Sequence, residues 1–225
     1  MRSEKKKKRY NTFTIILIII LLGVIAFSGY NIAKIAMNYH KIDTANEEIV
    51  EKYVYEDTDG FPEVDFATLQ GDNSDVRAWI YIPDTNVNYP VLQGSTNNAY
   101  LYVDFKGNYS IAGSIFMDVA CSPDFSDQET LLYGHNMHNG AMFGRLKKFE
   151  DTKYLEAHKD VYVILPDGKK MRYSATVGKY ISIEDDVYSL PKYGEGPETL
   201  VLSTCTDDSS DVERFVLICN YEETV

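Results

Sequence analysis

The chain has 225 residues and a formal net charge of −12, with 22 Lys and Arg against 34 Asp and Glu. Its length suits one domain of ordinary size with an appendage. An acidic chain lacks the basic footprint that nucleic acid requires, which excludes nucleic-acid binding as its main function. The chain also contains no C-x-x-C pair, P-loop or G-x-G-x-x-G motif.

The N-terminus differs sharply in charge from the rest of the chain. Residues 1–9 contain six Lys or Arg and one Glu, whereas the remainder contains 16 basic and 33 acidic residues. The stretch from Phe13 to Tyr30 has no charged residue, and as a helix it covers about 27 Å, close to the roughly 30 Å core of a bilayer. We therefore predict a cytoplasmic basic segment at residues 1–12 and a single transmembrane anchor at 13–30. The body is predicted to be extracellular, because Lys and Arg precede the span.

Two other interpretations of this stretch compete with an anchor. A cleavable signal peptide is the stronger one, because Ala26-Phe27-Ser28 is a tolerable small-x-small cleavage site. The apolar stretch is longer than the roughly 7 to 15 residues of a signal-peptide core, which favours an uncleaved anchor. A buried core helix is disfavoured, because the stretch is uniformly apolar and follows KKKKR.

Beyond the anchor, the hydrophobic pattern is first helical and then rich in β-forming residues. Helical spacing with mixed charge predicts a helical stalk at residues 31–60, and the domain at 61–225 is predicted to begin with a short helix and turn over 61–78. Eight short β-rich runs follow, separated by turn residues, and they are WIYI, NYPVLQ, GSIFM, TLLYG, VYVIL, KKMRYSATVGKYISI, TLVLSTC and RFVLICNY. One helical insertion interrupts them, MFGRLKKF at 142–149, continued by 153–158. The pattern predicts a mainly β fold, a closed eight-stranded barrel with N-terminal helices and one inserted helix.

The three cysteines would lie on the extracellular side of the membrane, where cysteines tend to be paired in disulfide bonds. Their number is odd, so at least one thiol is left over. Cys219 lies in the apolar run FVLICNY and is interpreted as a core residue, and Cys121 as a loop residue. Cys205 directly follows a predicted buried strand and precedes a cluster of acids. A free thiol in an oxidising exterior is a liability unless its chemistry is used, which makes Cys205 a candidate nucleophile.

Among the four histidines, His135 is the candidate partner of that thiol. His40 and His158 sit among charged residues on predicted helices and are interpreted as solvated surface. His135 follows the end of a predicted strand at Gly134 and enters a loop, where barrels build their sites. An imidazole beside a thiol lowers the thiol pKa or accepts its proton, which makes the nucleophilic thiolate available near neutral pH.

Arg214 is a candidate third member of the site. It opens the strand that follows the Cys205 loop, so a hairpin-like return would bring it beside Cys205. A guanidinium is permanently charged and offers several donors, which suits a developing oxyanion or a substrate carbonyl. Taken alone, Arg214 is better explained as an exposed strand-end residue paired with Asp207, Asp208 or Glu213.

Taken together, these segments resemble the class B sortases, membrane-anchored cysteine transpeptidases of Gram-positive cell walls. The resemblance rests on LSTC at 202–205 with Arg214 nine positions on, and on YGHNMHNGAMFGRL at 133–146. It also rests on WIYIPDTNVNYPVLQ at 79–93, which leads to GSIFMD at 113–118. It implies an eight-stranded barrel with N-terminal helices, preceded by a membrane anchor.

The resemblance also implies an activity and roles for particular residues. His135 would be the catalytic histidine, Cys205 the nucleophile, and Arg214 the group that holds substrate and stabilises the oxyanion. Four further positions would bind substrate, namely Ser203, Thr204, Thr206 and Tyr188. The partners implied are secreted proteins bearing a C-terminal sorting pentapeptide, cleaved after its threonine to leave a thioester on the cysteine, and a peptidoglycan cross-bridge amine that accepts the acyl group.

Two departures from the class B pattern bear on specificity. The connection at 184–198, EDDVYSLPKYGEGPE, has only fifteen residues where class B enzymes usually carry a longer, helix-bearing insertion. That connection forms a wall of the peptide groove in the family. Thr206 follows the cysteine where some class B members place an acid. Asp207 or Asp208 could orient His135, although solvated surface acids are the preferred interpretation.

No cofactor or metal is expected. His135, His138 and Cys205 would be an acceptable zinc set, but H-x-x-H in a Gly- and Asn-rich loop is a weak signal. A calcium site is likewise less favoured than a solvated acidic face for one group of acids, Asp124, Asp127, Glu184, Asp185 and Asp186. Two other functions remain as alternatives, a thiol hydrolase that uses water as acceptor and a catalytically silent surface-binding barrel.

Overall fold

The computed structural model describes residues 11–58, 60–192, 194, 196–205 and 212–225. Contacts between residues divide the chain into two compact units, with the boundary between Lys41 and Ile42. The predicted segment boundaries at residues 30 and 60 stay predictions.

The first helix, α1, runs from Thr12 to Tyr53. By length and composition it is apolar enough to cross a membrane, and the large apolar side chains between Phe13 and Tyr30 are exposed. The predicted anchor therefore lies within a helix. The side chains of α1 that are buried, Ile42, Ile49 and Tyr53, all belong to the second unit.

The segment between α1 and the barrel differs from the prediction in one respect. Strand β1 (Val54–Glu56) pairs antiparallel with β2 (Pro62–Val64), and this small sheet was not predicted. The predicted short helix is present as α2 (Phe66–Asp72), capped by the Asp65 side chain, which accepts a hydrogen bond of 3.0 Å from the Thr68 amide.

The eight predicted β-rich runs all form strands. They are β3 (Val76–Tyr81), β4 (Asn88–Leu92), β5 (Ile115–Met117), β6 (Glu129–Tyr133), β7 (Asp160–Ile164), β8 (Lys170–Ser182), β9 (Thr199–Cys205) and β10 (Glu213–Thr224). In the described part of the chain they close into a barrel of spatial order β10-β8-β7-β3-β4-β5-β6-β9, with β9 paired to β10. The predicted closed eight-stranded barrel is confirmed.

The inserted helix begins later than predicted. A 3₁₀ helix spans Leu146–Glu150, and α3 spans Thr152–Ala157. Met142, the predicted first residue, has a φ of 52°, which is left-handed and incompatible with a helical start. Its amide donates a 3.1 Å hydrogen bond to the Tyr89 hydroxyl, so the segment after His135 is tied to β4 before the helix starts.

The core follows from the period-two pattern of the strands. In β8, Met171, Tyr173 and Ala175 are buried while the residues between them are not. Trp79 is fully buried, and its indole nitrogen donates to the Asn88 side chain at 2.6 Å, so its one polar group is satisfied. Each fully buried large apolar side chain contributes about 1.5 to 3 kcal/mol.

Candidate active site

Strands β9 and β10 bring two of the predicted site residues opposite each other. They pair antiparallel, and Cys205, the last residue of β9, faces Arg214 across the ladder. This antiparallel pairing is the one that a hairpin-like return would give, and residues 206–211, which connect the two strands, lie outside the described residues. A β-strand pair spaces opposite backbones about 4.8 Å apart.

On the other side of β9, the neighbouring strand leads to His135. Strand β6 runs parallel to β9, with Tyr133 in register with Ser203, and the Gly134 amide extends the ladder by donating to the Ser203 carbonyl at 3.1 Å. His135 lies two residues beyond Tyr133, as Cys205 lies two residues beyond Ser203. Positions 135, 205 and 214 therefore meet at one end of three adjacent strands, with the Cys205 backbone on the central strand.

A cavity of about 200 Å³ opens at this end of the barrel. It is lined by Asn97, Asn98, Leu101, Phe116, Tyr133, Gly134, His135, Ser203, Thr204 and Arg214. Four of these, His135, Ser203, Thr204 and Arg214, were predicted from the sequence. A half-buried imidazole and a guanidinium therefore share one concave surface at the end of β9.

Gly134 determines how closely the His135 loop approaches the barrel. A side chain at Gly134 would collide with Ile115 and with the ring of Phe143. The Phe143 amide in turn donates to the His135 carbonyl at 3.1 Å. The backbone at Gly134 is thus packed closely against Ile115 of β5 and against Phe143, an approach that only glycine permits.

Described residues contact the imidazole of His135 through a hydrogen bond and through an aromatic ring. Its Nε2 lies 2.7 Å from the carbonyl oxygen of Leu101. Its ring packs on Tyr102, with the centroids 5.3 Å apart and the planes tilted by 36°. These contacts come from a loop segment to which the sequence pattern assigned no role.

Arg214 is half-buried at the start of β10. Its Nη1 donates to the Glu213 carbonyl oxygen at 2.8 Å, and the side chain lines the cavity. Because the guanidinium cannot lose its proton, it provides a permanent positive charge at the cavity wall.

The predicted substrate-binding residues differ in position. Ser203 and Thr204 are buried, with 1% and 2% of their surfaces exposed, and both line the cavity. The Tyr188 hydroxyl is 2.8 Å from Ser203 Oγ, so Tyr188 contacts the strand that forms the wall rather than appearing among the lining residues. Thr206 and the predicted acids Asp207 and Asp208 lie outside the described residues.

Sequence reasoning missed a carboxylate behind the cavity wall. Asp118 is 7% exposed and accepts hydrogen bonds from the Asn97 side chain at 2.7 Å and from the Tyr133 hydroxyl at 2.9 Å. Burial, reinforced by Asp118, raises the pKa of Tyr133. Asp118 is the last residue of GSIFMD, one of the segments on which the resemblance rests. Its place in that segment was the signal in the sequence that could have identified it.

The two cysteines outside the site are buried. Burial raises the pKa of the Cys121 thiol to about 12, and it also raises the pKa of the fully buried Cys219. Neither is poised to act as a thiolate near neutral pH. Cys219 is a core residue, as predicted.

Among the described residues, no group of three or more His, Cys, Asp or Glu could hold a metal ion. His138 is exposed. Asp124 and Asp127 accept hydrogen bonds from Ser126 and Ser122 of their own loop.

Comparison with known sequences points to one family. The family model described as the sortase domain matches residues 80–222. Sortase B of Listeria monocytogenes is 36% identical over 146 residues, which cover 63% of this chain and 59% of that protein. Sortase B of Staphylococcus aureus is 31% identical over 176 residues, covering 75% of this chain and 69% of that protein. The match thus spans less than two thirds of the Listeria relative.

Solved structures of the same kind share the fold. The Staphylococcus aureus sortase B-substrate complex matches with a TM-score of 0.62 and 27% identity, over 70% of this chain and 84% of that chain. A crystal structure of sortase B complexed with triglycine matches with a TM-score of 0.63 and 27% identity, over 70% of this chain and 85% of that one. The resemblance to class B sortases predicted from the motifs is confirmed.

Proposed function

The chain belongs to the sortase family, and we propose that it is a membrane-anchored cysteine transpeptidase of class B. It cleaves a C-terminal sorting motif after threonine, holds the acyl fragment as a thioester on Cys205, and transfers it to a peptidoglycan amine. The observation that carries the proposal is the register of β6, β9 and β10. It places positions 135, 205 and 214 at the same end of three neighbouring strands.

In the first half of the reaction, the Cys205 thiolate attacks the threonyl carbonyl carbon. The C–S bond forms, the peptide C–N bond breaks, and protonated His135 gives its proton to the departing amine nitrogen. In the second half, the acceptor amine attacks the thioester. His135 takes the amine proton, and Cys205 leaves as a thiolate.

Arg214 acts on the carbonyl oxygen, which becomes negative in each tetrahedral intermediate. A fixed cationic donor aimed at that charge contributes on the order of 3 kcal/mol to the transition state. Support for this role comes from the position of Arg214, opposite Cys205 across the ladder and on the wall of the cavity.

The substrate classes follow from the same family membership. One related structure is a sortase B-substrate complex and another holds triglycine, which supports a peptide acyl donor and an amine acceptor here. The partners are secreted proteins with a C-terminal sorting pentapeptide and a cross-bridge amine of lipid II or the mature wall. Ser203 and Thr204 line the cavity that takes the donor peptide, and Tyr188 holds Ser203 through its hydroxyl. A contact from Thr206 stays a prediction.

The reaction takes place on the extracellular face of the cell membrane. An apolar helix that begins at Thr12 supports a single-pass anchor, and the preceding basic segment supports a cytoplasmic N-terminus.

The test uses the full chain in detergent with a library of quenched fluorescent pentapeptides that contain a fixed threonine, and with triglycine as acceptor. We expect a ligated product, and Cys205→Ala and His135→Ala should each lose activity by at least about 10⁴-fold. Arg214→Ala should lower kcat by about 10² to 10³-fold.

Matched controls are Cys121→Ala, which removes a buried thiol, and His138→Ala, which removes an exposed imidazole. Both should retain turnover.

Three outcomes would contradict the proposal. Full turnover by Cys205→Ala would remove the thioester mechanism. Hydrolysed product alone, at saturating triglycine, would favour the hydrolase. Absence of any Cys205 adduct in the mass spectrum of the acid-quenched reaction would favour a silent binding barrel.

A further inference from the structure

The contact between His135 and Leu101 identifies which ring nitrogen carries a proton. Nε2 lies 2.7 Å from the Leu101 carbonyl oxygen, a hydrogen-bonding distance. A carbonyl oxygen only accepts, so Nε2 must be the donor in this contact. In the neutral imidazole the other nitrogen, Nδ1, then has the free lone pair.

The Leu101 carbonyl belongs to a backbone segment that is held on both sides. The Tyr100 carbonyl accepts from the Ser114 amide at 3.1 Å, and the Tyr102 carbonyl accepts from the Ser110 amide at 3.0 Å. The Ser114 hydroxyl also donates to the Val103 carbonyl at 2.9 Å. The carbonyls on either side of Leu101 are therefore bound within the loop, whereas that of Leu101 faces the imidazole.

Gly113 brings this segment into place. Its φ is +56°, and a side chain there would collide with the carbonyl oxygens of Tyr100 and Leu101. Only glycine combines that conformation with such a close backbone approach. The acceptor for Nε2 is therefore fixed by packing before any substrate arrives.

Tyr102 contacts the imidazole directly. Its ring centroid is 5.3 Å from that of His135, and it also stacks on Tyr109 at 6.4 Å. Tyr102 and Tyr109 are 49% and 78% exposed, so neither serves the core. An aromatic ring at this distance restricts the rotation of the imidazole about its side-chain bonds.

From this geometry we propose that Tyr102 is a positioning residue for His135. Together with the Leu101 carbonyl it holds the ring with Nε2–H on that oxygen, and Nδ1 is the nitrogen that exchanges the proton with Cys205. The inference rests on the proposed transpeptidase function, in which His135 is the proton carrier.

In each step of the reaction, only the proton at Nδ1 is exchanged. Nδ1 takes the proton of the Cys205 thiol, which leaves a thiolate and an imidazolium with protons on both nitrogens. The Nδ1 proton passes to the amine nitrogen released when the peptide bond breaks, and Nδ1 recovers a proton from the acceptor amine. The other proton stays bound to Nε2 throughout and is donated to the Leu101 carbonyl oxygen.

The first experiment compares the steady-state kinetics of Tyr102→Ala, Tyr102→Phe and Tyr55→Ala in the full chain with the best library pentapeptide and triglycine. Tyr55 is the matched control, because it is a 56% exposed tyrosine on β1. Tyr102→Ala should lower kcat about three- to tenfold with little change in KM, from the usual strength of an aromatic pair. Tyr102→Phe and Tyr55→Ala should stay near the original kcat. An unchanged kcat in Tyr102→Ala, or a rise in KM alone, would overturn the positioning role.

The second experiment reads the tautomer without substrate. The protein is labelled with ¹⁵N-histidine, and His135 is assigned by its loss in His135→Ala. In the neutral imidazole, we expect a protonated Nε2 and an unprotonated Nδ1. Tyr102→Ala should show shifts averaged between the two tautomers, and Tyr102→Phe should not. A protonated Nδ1 in the unsubstituted protein would overturn the inference.

Because the second readout needs no peptide, the two proposals fail separately. If Cys205→Ala were fully active, the function would be wrong whatever the tautomer. If Cys205 proved essential while Tyr102→Ala left both the shifts and kcat unchanged, only the positioning inference would be wrong. The midpoint of thermal unfolding of each variant is measured beside that of the unsubstituted protein, so that a loss of kcat is not confused with a loss of folded protein.

Discussion

Asp118 is a residue whose side chain joins several parts of the cavity wall. Its two carboxylate oxygens accept from the Asn97 side chain, the Tyr133 hydroxyl and the Ala120 amide. Three donors converge on one buried carboxyl group, so the orientation of two lining residues depends on its two acceptor oxygens. A neutral amide at this position has one acceptor oxygen and one donor group.

We expect Asp118→Asn to destabilise the protein by about 1 to 3 kcal/mol, because at least one buried donor would lose its acceptor. Urea unfolding measures this directly. Asp167→Asn is the control, because Asp167 lies in an exposed turn, and it should change stability by less than about 0.5 kcal/mol. Equal stability of Asp118→Asn and the unsubstituted protein would mean that this network contributes nothing to the fold.

At the residue scale, the sequence indicated candidate residues for the site but not the residues that surround them. Cys205, His135 and Arg214 were identified because each lies at a strand end and has reactive or charged chemistry. Asn97 and Leu101 were not, because they lie in an irregular loop and carry ordinary side chains. Their importance comes only from what the fold brings next to them.

Strand β6 has a buried centre and begins with an acidic residue, Glu129. Burial raises the pKa of Glu129, Lys192 opposes this, and Asp186 adds to it. Its Oε1 is buried and has no hydrogen-bond partner among the described residues. The folded protein therefore holds the Glu129 proton more tightly than the unfolded chain does.

A raised carboxyl pKa gives a definite sign for the pH dependence. Because the folded state binds the proton more strongly, stability falls as pH rises above the ordinary value of 4.5. Glu129→Gln removes this penalty, so at about pH 7 the variant should be more stable than the unsubstituted protein. At about pH 4 the gain should vanish.

Urea unfolding at both pH values measures the difference, with the exposed Glu156→Gln on α3 as the control. A gain that is the same at both pH values would show that ionisation of Glu129 does not cause it.

At the element scale, runs of apolar residues between turns were predicted well, and two short strands that contain charged residues were not. All eight barrel strands were expected, because each has several β-branched or aromatic residues between turns. Strands β1 and β2 have three residues each, as β5 has, but each contains a glutamate and so does not form an apolar run. The helix before α3 was predicted to start at Met142, but the hydrogen bond from its amide to Tyr89 holds that residue outside the helix.

For the whole molecule, the charge asymmetry around the apolar stretch leads to a topology prediction. The basic N-terminal segment should stay in the cytoplasm while the barrel lies outside. Cys121 and Cys219 are buried, so in a Cys205→Ala background the folded protein has little thiol to label.

Single cysteines introduced into the Cys205→Ala protein report on which side of the membrane each position lies. On intact cells, a membrane-impermeant maleimide should label Asp167→Cys, because Asp167 is exposed, and should label Ser3→Cys only after permeabilisation. The reverse pattern would invert the topology. Release of the barrel from membranes by carbonate at high pH would instead favour a cleaved signal peptide.

The sequence alone determined the barrel class, the apolar span with its basic flank, and the identity of the candidate nucleophile, base and cation. These depend on periodicity, composition and side-chain chemistry, which are local properties of the chain. The tertiary structure alone decided that β6 and β9 run parallel, with Tyr133 in register with Ser203. It also decided that the Leu101 carbonyl and the Tyr102 ring reach His135. Strand pairing and loop packing join residues far apart in the chain, and their register is set by the packing of the whole barrel rather than by any local pattern.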